Sequence, residues 1–324
     1  MEEKHKMPTI FFGAGNFAVK ILENLLTLEY LEIKVVVTQP DKVAGRKKIM
    51  TPPPVKHYLQ SEQIQIPLLQ PEKLRTQSIT ILEEYRPELI IVADYGQMIP
   101  NDVIDFPKYK CLNIHGSILP KYRGAVPAAM AILNGDKTTG VSIPIMTYKL
   151  DDGAVIGSKE IDILDTDTTF SLRMRLADAG NELINEILPK WLKGEIIPTI
   201  QNDSLASVTW ESDIDKEKAL IKPDIPISKI DRMIRAFSPW PIAWAKVDID
   251  GVEKRLKIYR AKKVDESFTI DISNHTAGKI FKENKQLYLT LQDGVLELQE
   301  IQLEGKKVLS GSDYLFLDGV MLQY

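Results

Sequence analysis

The first two-thirds of this chain predict an α/β fold, a doubly wound, Rossmann-like parallel sheet, and the remainder a small OB-like β-barrel. Three observations support this. Strand-like and helix-like stretches alternate from residue 9 to about residue 192. Residues 89–93 are continuously apolar, the pattern of a strand covered on both faces. After Gly194 the periodic helices give way to short β-rich segments punctuated by Gly and Asp.

In order, residues 9–12 read as the first strand, and Asn16 as the cap of a helix reaching residue 28 through Val19, Leu22, Leu25 and Leu26. Residues 32–38 are a β-branched strand, 55–61 a helix entered through three prolines, and 66–69 a short strand. Residues 78–85 read as helix, 111–116 as strand, 126–133 as helix and 141–146 as strand. A long amphipathic helix over 171–192 closes the unit, with Leu172, Leu176, Leu183, Ile187 and Trp191 near helical spacing. Residues 195–226 are polar and proline-containing without a firm period. A short helix over 228–236 and strands at 243–249, 256–260, 287–291 and 295–302 follow. The expected organisation is a first domain at 1–204, a linker at 205–227 and the barrel at 228–324.

With 324 residues and 44% hydrophobic composition, the chain can bury real cores. A formal net charge of -4 does not announce a nucleic-acid binder, yet a local basic patch can still hold RNA. The one cysteine, Cys111, excludes an internal disulfide and a multi-thiolate zinc site, and reads as a small buried residue. No metal is expected from the spacing of the four histidines. The start lacks an apolar signal segment and no run approaches bilayer length, so a cytoplasmic protein without membrane association is expected.

The most informative stretch is Asn113-Ile114-His115, followed by Ser117-Ile118-Leu119-Pro120-Lys121-Tyr122-Arg123-Gly124 and, later, Leu150-Asp151-Asp152-Gly153. In a strand, Asn113 and His115 point to one side, and they stand near its carboxyl end, where open α/β sheets bind ligands. An amide, an imidazole and a carboxylate there can share one reacting carbonyl, as oxyanion donors and a proton carrier. The residues alone do not separate Asp151 from Asp152.

Residues 111–124, with Gly135-Asp136 and Thr139-Gly140-Val141, resemble the signature of the folate-dependent formyltransferases. Within them the similarity is to the branch acting on methionyl-tRNA. Thr38-Gln39-Pro40-Asp41, Ala236-Phe237-Ser238-Pro239-Trp240-Pro241 and Gly305-Lys306-Lys307 carry it across nearly the whole chain. The resemblance implies a formyl transferase with 10-formyltetrahydrofolate as cosubstrate and no metal. Its partners would be folate and initiator methionyl-tRNA, its state a monomer, its site in the first domain and its RNA contacts partly in the barrel. It implies Asn113, His115 and Asp151 as the catalytic trio. Folate contacts would come from Ala93, Tyr95, Gly96 and Gln97, and from Ser117, Leu119 and Pro120.

Lys42, Arg46, Lys47, Lys48 and Lys56 form a basic excursion between prolines, with no acidic residue from 42 to 56. Such a cluster is usually a solvated loop. The resemblance implies that Lys42, Arg46, Lys47 and Lys48 grip tRNA, with Lys306 and Lys307 in the barrel, through phosphates and without base readout. Two other readings stay open. A sugar-nucleotide N-formyltransferase would keep the trio. An NAD-dependent oxidoreductase would use Gly13-Ala14-Gly15-Asn16-Phe17-Ala18, which fits G-x-G-x-x-A between a strand and a helix. The acidic residue such a fingerprint needs about 20 positions on is replaced by Thr38-Gln39. The formyltransferase branch typically carries Gly-Thr-Pro in that loop and Ala-Tyr-Gly where this chain has Asp94-Tyr95-Gly96, so both places depart from it.

Overall fold

A computed structural model describes residues 6–44, 48–264 and 276–323. Two compact units emerge, and each is discontinuous in sequence. The first comprises Met1–Gly124, Thr138–Asp162 and Arg173–Val208, the second Ala125–Lys137, Ile163–Leu172 and Thr209–Tyr324.

The first unit is built on five parallel strands in the order Leu68–Leu69, Leu31–Val37, Met7–Gly13, Leu89–Ala93 and Cys111–Asn113. Apolar, β-branched segments fill the middle, and Leu89–Ala93 is buried throughout. Helices Asn16–Thr27, Pro54–Ser61 and Ser78–Tyr85 supply the connections that parallel strands require. The strand order reverses between Met7–Gly13 and Leu89–Ala93, where Gly13 pairs with Ala93. This switch point brings the Gly13–Gly15 and Asp94–Gly96 loops together, with the Ala14 N–H donating to the Asp94 carbonyl at 3.2 Å.

Helix Thr169–Leu192 lays Leu176, Ala177, Leu183, Ile184 and Leu188 into the core. Leu176→Ala is expected to cost about 2–5 kcal/mol, through reduced burial plus the cavity left behind. The check is a lower urea midpoint with an unchanged slope.

Three expectations change. Asn16 is the first residue of its helix, and Gly15 takes the cap position. The strand expected over 111–116 ends at Asn113, and His115 makes an antiparallel bridge with Ser142 instead. The strand expected over 141–146 is Thr138–Pro144, which lies antiparallel to Val155–Asp162 in a separate two-stranded sheet. Val155–Asp162 is not evident in the sequence, because its outward positions carry Ser, Glu and Asp and its alternation reads as a polar loop.

In the second unit, a curled antiparallel sheet runs in the order Ile280–Glu283, Gln286–Leu291, Gly294–Leu303, Val252–Lys263, Trp244–Ile249 and Leu322–Gln323. A bridge between Lys279 and Met321 links the two ends of that path, so the sheet approaches a barrel. Leu256, Ile258, Leu289, Leu296, Leu298 and Ile301 fill its interior, with Ile230, Met233 and Ile234 from helix Ile227–Ala236 against them. Arg232 on this helix donates from Nε to the Leu133 carbonyl at 3.1 Å, capping helix Pro127–Asn134. No helix among the described residues is long and apolar enough to cross a membrane.

Candidate active site

Asp151 is the hub of the site. Its Oδ1 accepts a hydrogen bond from Asn113 Nδ2 at 3.2 Å, and its Oδ2 lies 3.6 Å from His115 Nδ1. The Gly124 N–H donates to the same Oδ2 at 2.8 Å. Asp152 turns away and accepts from the Thr147 hydroxyl, with Lys149 Nζ at 4.0 Å. The two carboxylates that sequence could not separate are therefore separated by geometry.

His115 is buried, and its Nε2 lies 2.9 Å from the Tyr122 carbonyl oxygen. A carbonyl cannot donate, so Nε2 carries the hydrogen and Nδ1 faces Asp151. A neutral ring thus presents a lone pair at Nδ1, and a charged ring presents an N–H there. Asn113 Nδ2 bears two hydrogens, and Asp151 uses one. The other is available to an incoming oxygen.

Asp151 has a φ of 45°, a left-handed conformation that costs a non-glycine residue about 1–3 kcal/mol unless its surroundings impose it. Here they do. Gln201 Nε2 donates to the Asp151 and Gly153 carbonyls at 2.8 and 2.7 Å. Gly153 packs so closely on the Ile145 carbonyl oxygen that a Cβ would collide with it, which accounts for glycine in the Asp-Asp-Gly turn. Gln201 lies in the polar stretch without a firm period, and periodicity holds no signal for it.

The loop after His115 is held by its own polar groups. Ser117 Oγ donates to the Lys121 carbonyl at 2.6 Å, and the Leu119 N–H donates to Ser142 Oγ at 3.0 Å. The Pro120 carbonyl accepts from the Ser207 N–H at 3.2 Å. At the neighbouring strand end, Ala93 and Tyr95 have buried side chains. The Tyr95 ring stands edge-on to Phe12 with centroids 5.2 Å apart, and burial pushes its hydroxyl above the ordinary tyrosine range. Both residues can offer a ligand only main-chain groups. Gly96 has an exposed backbone with a φ of 76°, while Gln97 ties down its own side chain through the Leu74 N–H and the Pro71 carbonyl. Cys111 is fully buried, as expected, and burial raises its thiol well above the ordinary range.

The Gly13-Ala14-Gly15 loop has a physical explanation in Asp94. The Asp94 carboxylate sits where a Cβ on Gly15 would collide with it, and it pairs with Arg173 Nη2 at 2.6 Å. A carboxylate thus stands beside the first residue of helix Asn16–Thr27, where a dinucleotide would rest its pyrophosphate. The two departures from the family pattern explain each other. Gly15→Pro alone is expected to cost about 1–3 kcal/mol of stability by displacing Asp94 from Arg173. The double variant Gly15→Pro with Asp94→Ala is expected to recover part of that stability. Thermal unfolding of both single variants and the double variant reads the coupling.

Within the basic excursion, strands Lys42–Ala44 and Ile49–Thr51 pair antiparallel. Lys42 and Lys48 are exposed, as are Val43, Ile49 and Met50, while Arg46 and Lys47 lie outside the described residues. Lys42 donates to Gln39 Oε1 at 2.6 Å, and Lys56 is engaged more fully. It pairs with Asp41 at 2.8 Å and donates to Gln70 Oε1. Hydrogen bonds from Gln70 and then Lys56 hold the Asp41 carboxyl below the usual carboxylate range. In the second unit Lys306 and Lys307 are exposed beyond Gly305. Arg260, Lys262 and Lys263 line a cavity of about 970 Å³ there, together with Asp231 and Glu300. The Arg260–Glu300 pair at 3.0 Å offsets part of its basic charge.

The formyl transferase family matches residues 6–188, and the formyl transferase C-terminal domain family matches residues 213–316. The methionyl-tRNA formyltransferase of Halalkalibacterium halodurans is 37% identical, over 95% of this chain and 94% of its own. That of Bacillus subtilis is 36% identical, over 94% and 93%. The chain belongs to the methionyl-tRNA formyltransferase family. Among solved structures, HypX from Aquifex aeolicus in complex with tetrahydrofolic acid superposes with a TM-score of 0.66 at 17% identity. That match covers 96% of this chain and 47% of HypX, and at such identity it speaks to the fold alone.

Proposed function

We propose that this enzyme transfers the formyl group of 10-formyltetrahydrofolate to the free amino group of initiator methionyl-tRNA. The observation that carries the reading is Asp151, which contacts both Asn113 and His115 in a chain of this family. The aminoacyl amine attacks the formyl carbon, forming a C–N bond and a tetrahedral oxyanion. The second Nδ2 hydrogen of Asn113 and the Nδ1 hydrogen of a charged His115 donate to that oxyanion. Asp151 orients the ring from 3.6 Å and carries the amine proton toward departing N10, directly or through water. The bond from the formyl carbon to N10 then breaks, and N10 takes the proton.

The folate would lie along the carboxyl ends of Leu89–Ala93 and Cys111–Asn113. Main-chain groups of Ala93, Tyr95 and Gly96 would face its flat edge, with Gln97 shaping the adjoining loop. Ser117, Leu119 and Pro120 would form the opposite wall. The tetrahydrofolate complex of the similarly folded HypX is consistent with this donor class. Lys42, Arg46, Lys47 and Lys48 would take acceptor-end phosphates, and Lys306 and Lys307 would take tRNA phosphates of their own. Residues 1–204 would act as the catalytic domain, 205–227 as the linker and 228–324 as the tRNA-binding domain, in a monomer in the cytoplasm.

Two competing readings have less behind them. The relatives at 36–37% identity that align over nearly their full length are named for methionyl-tRNA, whereas a sugar 3N-formyl transferase of the same fold, WlaRD, is only 20% identical. The Asp94 carboxylate near Gly15 disfavours a dinucleotide pyrophosphate. Thermal unfolding with each ligand tests the donor site, since a ligand at 100 times its Kd stabilises by about 2.7 kcal/mol. A rise in Tm with 10-formyltetrahydrofolate and none with NAD is expected. The reverse pattern would overturn the reading.

A further inference from the structure

We infer that Gln201 and Arg123 form a positioning pair that holds Asp151 in its working conformation. The inference rests on the reading above that Asp151 takes part in formyl transfer.

Both ends of the Gln201 carboxamide are engaged. Its two Nε2 hydrogens go to the carbonyls of Asp151 and Gly153, at 2.8 and 2.7 Å, on either side of Asp152. Its Oε1 accepts from Arg123 Nε at 3.0 Å. A guanidinium can only donate and a carbonyl can only accept, so the orientation of the amide is fixed by its neighbours. Arg123 is itself buried and anchored, donating from Nη2 to Asp203 Oδ1 at 2.7 Å and from its backbone N–H to the Ser207 carbonyl at 2.8 Å.

The pair draws the two carbonyls of the acidic turn toward one point. That convergence keeps Asp151 at a φ of 45°, a conformation its own backbone does not favour. The same conformation aims its carboxylate at Asn113 and His115. Gly124, the residue after Arg123, donates its N–H to Asp151 Oδ2 at 2.8 Å, so Arg123 adjoins the site by a second route. Without the clamp the turn relaxes toward negative φ and the carboxylate leaves the imidazole. Gln201 touches neither reacting group, so it acts through Asp151.

The test uses the full chain with Gln201→Ala, Gln201→Glu, Asp151→Asn and the double variant Gln201→Glu with Asp151→Asn. Gln201→Glu keeps the size of the side chain and its contact with Arg123, but replaces the donors with an acceptor facing two carbonyls. It therefore carries the test even if Gln201→Ala fails to fold. Turnover is expected to fall about 100-fold, the scale of a displacement near 1 Å at a reacting group. KM for folate and for charged tRNA should stay within about threefold, because uniform binding is untouched. In the Asp151→Asn background, Gln201→Glu should add less than about threefold, because both changes disable one group. A folded Gln201→Glu enzyme with near-normal turnover, or full additivity in the double variant, would overturn the positioning role and leave Asp151 standing. Normal turnover in Asp151→Asn would instead remove the catalytic reading itself, and the inference with it.

Discussion

His115→Ala and Asp151→Asn enzymes are expected to turn over about 10²–10⁴-fold more slowly than the parent, the usual contribution of an oxyanion donor or proton carrier. Folate affinity should change little. His115 is buried with Nε2 committed to the Tyr122 carbonyl, so only Nδ1 is free to act, and Asp151 is the group it faces. Asp151→Asn keeps the shape of the side chain but replaces a carboxylate that accepts from Asn113 and Gly124. Asp152→Asn is the internal control, since its partners are Thr147 and Lys149. Single-turnover rates with saturating folate measure the chemical step. Near-parental rates in either trio variant would remove the assignment.

The second large effect concerns RNA. Replacing Arg46, Lys47 and Lys48 together by Ala is expected to weaken tRNA binding and to flatten its dependence on salt. Each phosphate that a cation no longer neutralises lowers the slope of log affinity against log salt by about 0.9 for a duplex and about 0.7 for a single strand. The single variant Arg46→Ala should show one such step, and the triple variant up to three. Lys56→Ala should leave the slope unchanged, because its ammonium already belongs to Asp41 and Gln70. Filter binding over a salt series gives both quantities. Equal slopes in parent and triple variant would mean that the excursion is only solvated, and would revive a small-molecule acceptor.

Much of the fold is legible in sequence because burial writes itself into composition. Residues 89–93 are apolar without interruption because both faces are covered, and 169–192 shows a helical stripe because one side packs. The sheet curled at the C-terminal end is legible from short strands between Gly and Asp turns. Val155–Asp162 is not, since an edge strand with polar outward positions looks like a loop until its partner at Thr138–Pro144 is known. The candidate site divides in the same way. Asn113, His115 and Asp151 stand out by residue type, but the choice of Asp151 over Asp152 depends on the turn geometry. Gln201 gives no local sign, since its contacts reach 50 residues back to Asp151. Lys56 looks like part of a free basic run because its counter-charge, Asp41, lies just before the run begins. Asp94 and Gly15 look like two unrelated departures, and only their contact in space joins them.

The most direct test is transfer of labelled formyl from 10-formyltetrahydrofolate, with charged initiator tRNA, uncharged initiator tRNA and an amino-sugar nucleotide as alternative acceptors. The parent enzyme should label the methionyl amine of the charged tRNA alone, and Asp151→Asn should reduce that labelling by about 10²–10⁴-fold. Labelling of the amino-sugar nucleotide in place of methionyl-tRNA, or undiminished labelling by Asp151→Asn, would contradict the account.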